Sequence, residues 1–301
     1  MLLTLRTVLI LVFAVVTART AAADTGILLL AHGGNAEWNA RVTELAGRVN
    51  ATRPVEVAFG MATRAAIQTA IDKLVARGVT DIVAVPLFVS SWSSVITSTE
   101  YLLGLRAEAP AALAAFAKMS HAPSATSGGH DGHAAASDGT TPVRAPVPVR
   151  MTSALNDHPI VAEILTTRAR AISRDQAREA LFIVAHGPND EDENTRWLRD
   201  MRSIAGRVAA TEKFAAIEYL TLRDDAAKPV RDAATRQLRE LVEREVSAGR
   251  RVLIVPLLIS FGGIERGLRE RLNGLAYTLA QAALMPDDRM TAWVLAMVDR
   301  R

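Results

Sequence analysis

Two stretches of the chain share one pattern of apolar and polar positions. In Gly26 to Asn35 (GILLLAHGGN) and again in Ala180 to Asn189 (ALFIVAHGPN), an unbroken apolar run ends in Ala-His-Gly. A continuous apolar run of this length predicts a strand that is buried on both faces of a parallel sheet. Open α/β sheets bind their ligands at the carboxyl ends of the strands, so His32 and His186 are the first candidates for function.

The apolar spacing after each of these strands predicts regular alternation of helices and strands. In the first copy the predicted elements are a helix at 37–49, a strand at 55–60, a helix at 65–76, a strand at 81–88, a helix that continues to Phe116, a strand at 147–151 and a helix at 160–172. In the second copy they are strands at 180–185, 215–222 and 250–259, with helices at 197–208 and 230–246. This alternation is typical of βαβ units and a parallel sheet.

The second half of the chain repeats the first. VPLFVSS at 85–91 resembles VPLLISF at 255–261, and Ala154-Leu155 is echoed by Ala283-Leu284. We therefore expect an internal duplication: an α/β protein with two similar domains, each a parallel β-sheet flanked by helices, facing each other across a cleft. The predicted domains are residues 24–172 and 173–301.

Periodicity stops between Ser120 and Ala145, where Gly, Ser, Ala and Pro dominate. Such a composition predicts a disordered surface insertion within the first domain. The insertion carries His121, His130 and His133, and Gly-His130-Asp-Gly-His133 is either a loose metal-collecting segment or a passive linker.

The first 23 residues are typical of a signal peptide. Arg6 precedes the apolar run Val8 to Val16, and Ala21-Ala22-Ala23 resembles a cleavage site. We expect a secreted or periplasmic protein without stable membrane insertion after cleavage, and the alternative is a retained N-terminal anchor.

Charge and composition exclude several classes of partner. Cleavage after residue 23 removes two of the 35 basic residues and none of the 32 acidic ones, which leaves a net charge of +1. A nearly neutral chain gives no electrostatic reason to bind nucleic acid. The chain has no cysteine, so disulfides and thiolate metal sites are excluded. A nucleotide site is not indicated either, because neither Gly-x-Gly-x-x-Gly nor a P-loop lysine is present.

The paired histidines are suited to metal chemistry. A single histidine at a strand end would most often be a core residue, but two at equivalent positions favour function. A neutral imidazole binds divalent transition metals and accepts protons near neutral pH.

The segments LLLAHGG, VPLF followed by Ser, and PVRMTSALNDHPIVAEIL together make the chain resemble the CbiX-type sirohydrochlorin cobaltochelatases, class II chelatases related to ferrochelatase. The resemblance implies a lyase that inserts a divalent metal, Co²⁺ or alternatively Fe²⁺ or Ni²⁺, into a sirohydrochlorin-type tetrapyrrole without nucleotide hydrolysis. Such a reaction belongs to cobalamin or siroheme biosynthesis. A binding protein for metal or tetrapyrrole that has kept the fold and lost turnover is the alternative.

The resemblance also indicates site residues. His32 and His186 are expected as metal ligands or bases, with Glu265 as a supporting carboxylate. The family normally has a second histidine after the VPLF strand, where this chain has Ser94 and Ile264. Glu265 is equally consistent with a carboxylate placed at a helix N-terminus.

The remaining candidates are residues near strand ends and one histidine before a helix. Trp92, Ser94 and Phe261, with Phe88, lie at strand ends and are predicted to contact the flat macrocycle, although ordinary packing is an equal alternative. His158 either lines the cleft as a metal ligand or caps the following helix together with Asp157. Its counterpart in the second copy is acidic, Asp287 or Asp288. Because one chain already contains both domains, we expect a monomer.

Overall fold

A computed structural model describes residues 24–120 and 139–300. The predicted signal peptide lies outside these residues, as do the three histidines of the insertion, His121, His130 and His133. Within the described residues no helix has the length and apolar character that crossing a membrane requires.

The described residues of the first half contain four strands and five helices. The strands are β1 (Thr25–Ala31), β2 (Val55–Phe59), β3 (Asp81–Leu87) and β4 (Val149–Met151). The helices are α1 (Ala36–Asn50), α2 (Arg64–Ala76), α3 (Ser94–Leu102), α4 (Leu113–Ser120) and α5 (Pro159–Ile172).

The second half repeats this order with one helix fewer. Its strands are β5 (Glu179–Ala185), β6 (Ala216–Thr221), β7 (Arg251–Leu257) and β8 (Thr278–Leu279). Its helices are α6 (Glu191–Thr211), α7 (Lys228–Ser247), α8 (Ile264–Arg271) and α9 (Asp288–Asp299).

Each half forms a four-stranded parallel sheet, in the order β2-β1-β3-β4 and β6-β5-β7-β8. In the first sheet Ala31 pairs with Phe59 and Leu87. In the second, Ala185 pairs with Thr221 and Leu257. The predicted α/β fold with two similar sheets is confirmed, and His32 and His186 each come one residue after the end of a strand that has a neighbour on both sides.

The described residues form five layers, helices, sheet, helices, sheet and helices, held together by three apolar cores. The outer face of the first sheet packs on α2, α3 and α4, and the outer face of the second on α7 and α8. A shared central core joins the inner faces of both sheets with α1, α5, α6 and α9. Because this core runs through both halves, the two sheets are parts of one packed unit.

Two of the central helices pack on the half of the protein to which they do not belong in sequence. Helix α5 follows the first sheet in sequence but lies against β7 and α6 of the second half, and α9 follows the second sheet but lies against β3 and α1 of the first. Sequence boundaries drawn at residue 172 therefore separate α5 and α9 from the sheets on which they pack.

Backbone bonding supports the internal duplication. The N–H of Leu155 donates to the carbonyl of Phe88, and the N–H of Leu284 donates to that of Leu258 in the same way. His158 in the first half is therefore equivalent to Asp287 in the second half, and each is the N-cap of the helix that follows.

Two sequence predictions about the region from 90 to 145 were wrong. The single helix expected through Phe116 is two helices, because the chain turns at Gly104 with φ +73° and continues through Pro110 before α4 begins. The last residues of the expected disordered insertion, 139–145, are also bonded to the rest of the first half. The N–H of Val143 donates to the carbonyl of Leu102 at 2.8 Å, and Nε of Arg64 donates to that of Thr141 at 2.8 Å. The sequence analysis also did not predict α8, β8 and α9.

Candidate functional site

The two histidines are held in the same way. Nδ1 of His32 lies 2.5 Å from the carbonyl oxygen of Gly33, and Nδ1 of His186 lies 2.6 Å from that of Gly187. A carbonyl oxygen only accepts, so Nδ1 carries the proton in both rings. In the neutral form Nε2 then holds the lone pair that binds a metal or accepts a proton.

Neither ring is sealed in the core. His32 is exposed, and the side chain of His186 keeps 31% of its accessible surface. Nε2 of His186 lies 3.0 Å from Oδ2 of Asp225, in the loop after β6. Burial alone would lower the pKa of His186, but the hydrogen bond and charge of Asp225 outweigh it and raise that pKa above 6.5.

Asp225 connects the two histidines electrostatically. Its pKa is lowered chiefly by the hydrogen bond with His186, and the charge of His32 lowers it further. One carboxylate at the end of β6 therefore lies within the electrostatic reach of both imidazoles, although they belong to different halves. Asp225 was not among the residues predicted from the sequence, and the available signal was its position in the loop after a predicted strand.

Arg223 fixes the loop that carries His186. Its backbone adopts φ +54°, and its N–H donates to the carbonyl of His186 at 2.8 Å. The buried guanidinium donates to the carbonyl oxygens of Pro188 at 2.6 Å and Asn189 at 2.8 Å. The loop is therefore bonded to the end of β6 by both the backbone and the side chain of one residue.

Gly187 makes the turn of this loop possible. It has φ +79°, and a Cβ at this position would lie 2.5 Å from Cβ of Thr221. Any other residue would be both strained and in collision with β6. The glycine of the Ala-His-Gly pattern is thus required by the backbone of the site.

Asp224, next to Asp225, is a second carboxylate at this end of the sheet. Arg271 of α8 forms an ion pair with its Oδ1. Burial nevertheless raises its pKa, because desolvation outweighs the charges of Arg271 and His186. Its Oδ2 is buried and lacks a hydrogen-bond partner among residues 24–120 and 139–300.

Residues 26–172 match the CbiX family model. Over this range, slightly less than half of the chain, the sequence is similar to the CbiX family. The match covers the first sheet and α5, and the second half repeats the same fold.

Solved structures share the fold across both halves. SirB from Bacillus subtilis with Fe³⁺ has a TM-score of 0.61 at 15% identity, covering 91% of this chain and 94% of SirB. SirB from Bacillus subtilis subspecies spizizenii in complex with cobalt has a TM-score of 0.51 at 13% identity, with the same coverage. A structure of CbiX described as the terminal enzyme for siroheme biosynthesis in denitrifying bacteria has a TM-score of 0.54 at 18% identity, covering 91% and 97%. No curated protein sequence matches the chain.

Trp92 links the loop after β3 to α6. Its indole Nε1 donates to Oδ2 of Asp200 at 2.9 Å, and its carbonyl oxygen accepts from Nε1 of Trp197 at 2.9 Å. The guanidinium carbons of Arg196 and Arg199 lie 5.0 and 5.7 Å from the ring centroid. The ring predicted to contact a macrocycle is therefore engaged in joining the two halves.

The two positions where the family has a second histidine lie at helix N-termini. Ser94 begins α3. Ile264 begins α8, where Oε2 of Glu265 accepts from the N–H groups of Gly262 at 3.1 Å and Gly263 at 2.9 Å. Burial opposes ionisation of Glu265, but these N–H groups lower its pKa. The structure thus shows Glu265 in the helix-capping role.

His158 is likewise placed as a cap. Its Nδ1 accepts from the N–H of Ile160 at 3.2 Å, and Nη2 of Arg300 lies 3.2 Å from Nε2. Burial and the charge of Arg300 lower its pKa. Asp157 does not cap the helix with it, because its carboxylate accepts from Oγ of Ser203 at 2.8 Å.

The predicted ligands do not form a closed cage. Within the described parts of the chain, no group of three or more His, Cys, Asp or Glu side chains is arranged to enclose a metal. Phe261 and Phe88 are half-buried at the ends of the third strands, and Phe88 packs on the outer core of the first sheet. What the structure brings together directly is His186 and Asp225, and the exposed His32 acts on Asp225 through its charge.

Proposed function

We propose that this protein inserts a divalent metal into a tetrapyrrole of the sirohydrochlorin class, as a lyase that needs no nucleotide. The observation that supports the proposal best is the pair of equivalent imidazoles, each with Nδ1 bonded to a carbonyl oxygen, together with Asp225, which contacts Nε2 of His186 and whose pKa the charge of His32 lowers. The CbiX match and the fold shared with chelatases agree with it.

Each group has a chemical task in this proposal. The exposed His32 offers its Nε2 lone pair to the incoming ion, and Asp225, whose side chain is 68% exposed, attracts the ion by its negative charge while it stays bonded to His186. Insertion releases the protons of two pyrrole N–H groups. His186 in its neutral form accepts one of these protons at Nε2, Asp225 stabilises the imidazolium that results, and the second proton passes to solvent water.

The choice of metal is part of the proposal. Imidazole nitrogen and carboxylate oxygen suit Co²⁺, Fe²⁺ and Ni²⁺, so we propose Co²⁺ first and the other two as alternatives. We also propose that the protein is exported and works as a monomer, because its first 23 residues are typical of a signal peptide and one chain supplies both sheets.

A second candidate is a metal or tetrapyrrole carrier without turnover. The observation that favours it is the absence of histidine at Ser94 and Ile264, together with the use of Glu265 as a cap. A carrier would keep His32, His186 and Asp225 for binding while it lacks the further groups that remove protons.

One experiment separates the two candidates. Mature protein is incubated with sirohydrochlorin and Co²⁺ in the absence of nucleotide, and the absorption change of the macrocycle is followed against the rate of spontaneous insertion. A chelatase accelerates the change with many turnovers per protein, and the double variant His32→Ala, His186→Ala does not. If the macrocycle or metal binds with one equivalent and the rate stays at the spontaneous value, the carrier replaces the enzyme.

A further inference from the structure

A solvent-filled groove lies on the central helical layer, apart from the two histidines. It has a volume of about 400 Å³ and is formed by one face of α5, the second half of α6 and the start of α9. Its lining includes Glu163, Thr166, Arg170, Arg207 and Arg289. Three arginines against one acidic side chain give the groove a positive character, and its volume is in the range of small-molecule sites.

Two of these arginines are held in place by carboxylates behind them. Nε and Nη2 of Arg170 donate to Glu212, at 2.5 to 3.1 Å. Nε and Nη2 of Arg289 donate to Asp287 at 2.8 and 2.7 Å. A guanidinium has five N–H donors, and in both residues the Nη1 donors have no hydrogen-bond partner in the described part of the chain.

Arg207 adds a guanidinium that forms neither an ion pair nor a hydrogen bond with residues 24–120 or 139–300. Its charge nevertheless acts on the neighbouring His158. The floor between the arginines is built from Ala162 and Thr166, both buried. The groove thus combines fixed and free guanidinium donors over a shallow, partly apolar base.

We propose that this groove binds a small oxyanion ligand, a molecule that carries carboxylate or phosphate groups. Guanidinium forks pair with such groups through two parallel hydrogen bonds, and arginines held in advance by carboxylates lose less side-chain entropy on binding. With the supporting residues included, the groove has four cations, Arg168, Arg170, Arg207 and Arg289, and three anions, Glu163, Glu212 and Asp287. A bound anion therefore meets an excess of positive charge. The inference does not depend on metal insertion.

The test is titration calorimetry on the mature chain at low salt, with inorganic phosphate, with citrate and with glycerol as a neutral probe. We expect saturable binding of at least one anion and none of glycerol, and the two anion titrations distinguish phosphate from carboxylate recognition. Arg207→Gln should weaken binding about tenfold, the loss expected for one charge-assisted contact. Glu163→Gln should strengthen it by removing the only acidic side chain of the lining.

Arg202→Gln is the matched control, because Arg202 lies on the same helix, is exposed and does not line the groove. It removes the same charge and should leave the affinity unchanged. The proposal is overturned if neither anion binds, or if Arg202→Gln weakens binding as much as Arg207→Gln, since general attraction to a basic surface would then explain it. Circular dichroism of all variants checks that the fold is retained.

Discussion

Oδ2 of Asp225 lies 3.0 Å from Nε2 of His186, although the two residues follow different strands of the second sheet. Replacing Asp225 by Asn should lower the pKa of His186, because burial then remains without the opposing carboxylate. An NMR titration of the imidazole resonances measures this. The resonance of His158 is the internal control and should not move.

The same pair makes stability depend on pH. The pKa of His186 is raised by folding, so the interaction contributes fully below the ordinary value of 6.5 and is lost as pH rises through the folded pKa. Wild type and Asp225→Asn should therefore differ more in their free energy of unfolding near about pH 6 than near about pH 9. A difference that grows toward alkaline pH would contradict the pairing.

Metal binding should depend on the strand-end histidines. His32→Ala and His186→Ala should each weaken Co²⁺ binding at least about tenfold, the scale found for residues that support metal sites. His158→Ala is the control, because His158 acts as a helix cap. Calorimetry with Co²⁺ on these variants and on a chain lacking residues 121–138 shows which part holds the ion. Loss of all uptake on that deletion, with normal uptake in both alanine variants, would move the site into the insertion.

Trp92 should contribute more to the stability of the fold than to binding of the macrocycle. Trp92→Phe removes the indole N–H from Asp200, whose side chain is only 14% exposed, and should cost about 1–3 kcal/mol of unfolding free energy. Asp200→Asn keeps an acceptor oxygen and should cost less. Urea unfolding provides both values. Unchanged stability with strongly reduced tetrapyrrole affinity would instead assign the ring to the substrate.

Replacing Gly187 by alanine should destabilise the protein, whereas the same replacement of a helical glycine should not. Gly187→Ala combines positive φ with a collision against Thr221 and should destabilise the protein by about 2 kcal/mol or more. Gly206→Ala, in α6 with no atom within 4 Å of the added Cβ, should stabilise it by about 0.5–1 kcal/mol. Thermal and urea unfolding of both variants test the contrast, and equal effects would contradict it.

The sequence predicted the strands well because parallel strands buried on both faces are continuous apolar runs. It failed where long-range contacts decide the structure. Residues 139–145 have the composition of a disordered segment, yet backbone bonds such as Val143 to Leu102 hold them on the first half. Nothing in the local pattern of α8 or α9 reveals which sheet they pack against.

The site was predictable only in part for a related reason. His32 and His186 stand out because they repeat, and a repeat is visible in a sequence. Asp225 has no counterpart of its kind in the first half, where the residue at the same distance beyond the second strand is Thr63. Its importance comes from the fold, which brings its carboxylate to His186. Trp92 and Glu265 were predicted to serve the ligand, and their bonds to Asp200 and to the N-terminus of α8 could not be read from the sequence.

The exchange of α5 and α9 bears on how the protein reaches its native state. Cutting the chain between residues 172 and 173 would release an amino-terminal fragment with α5 separated from β7, and a carboxyl-terminal fragment with α9 separated from β3. Each fragment would leave the apolar surface of the central core open to water. The two halves of the chain are therefore expected to fold only together, and the two fragments should regain structure only when they are mixed.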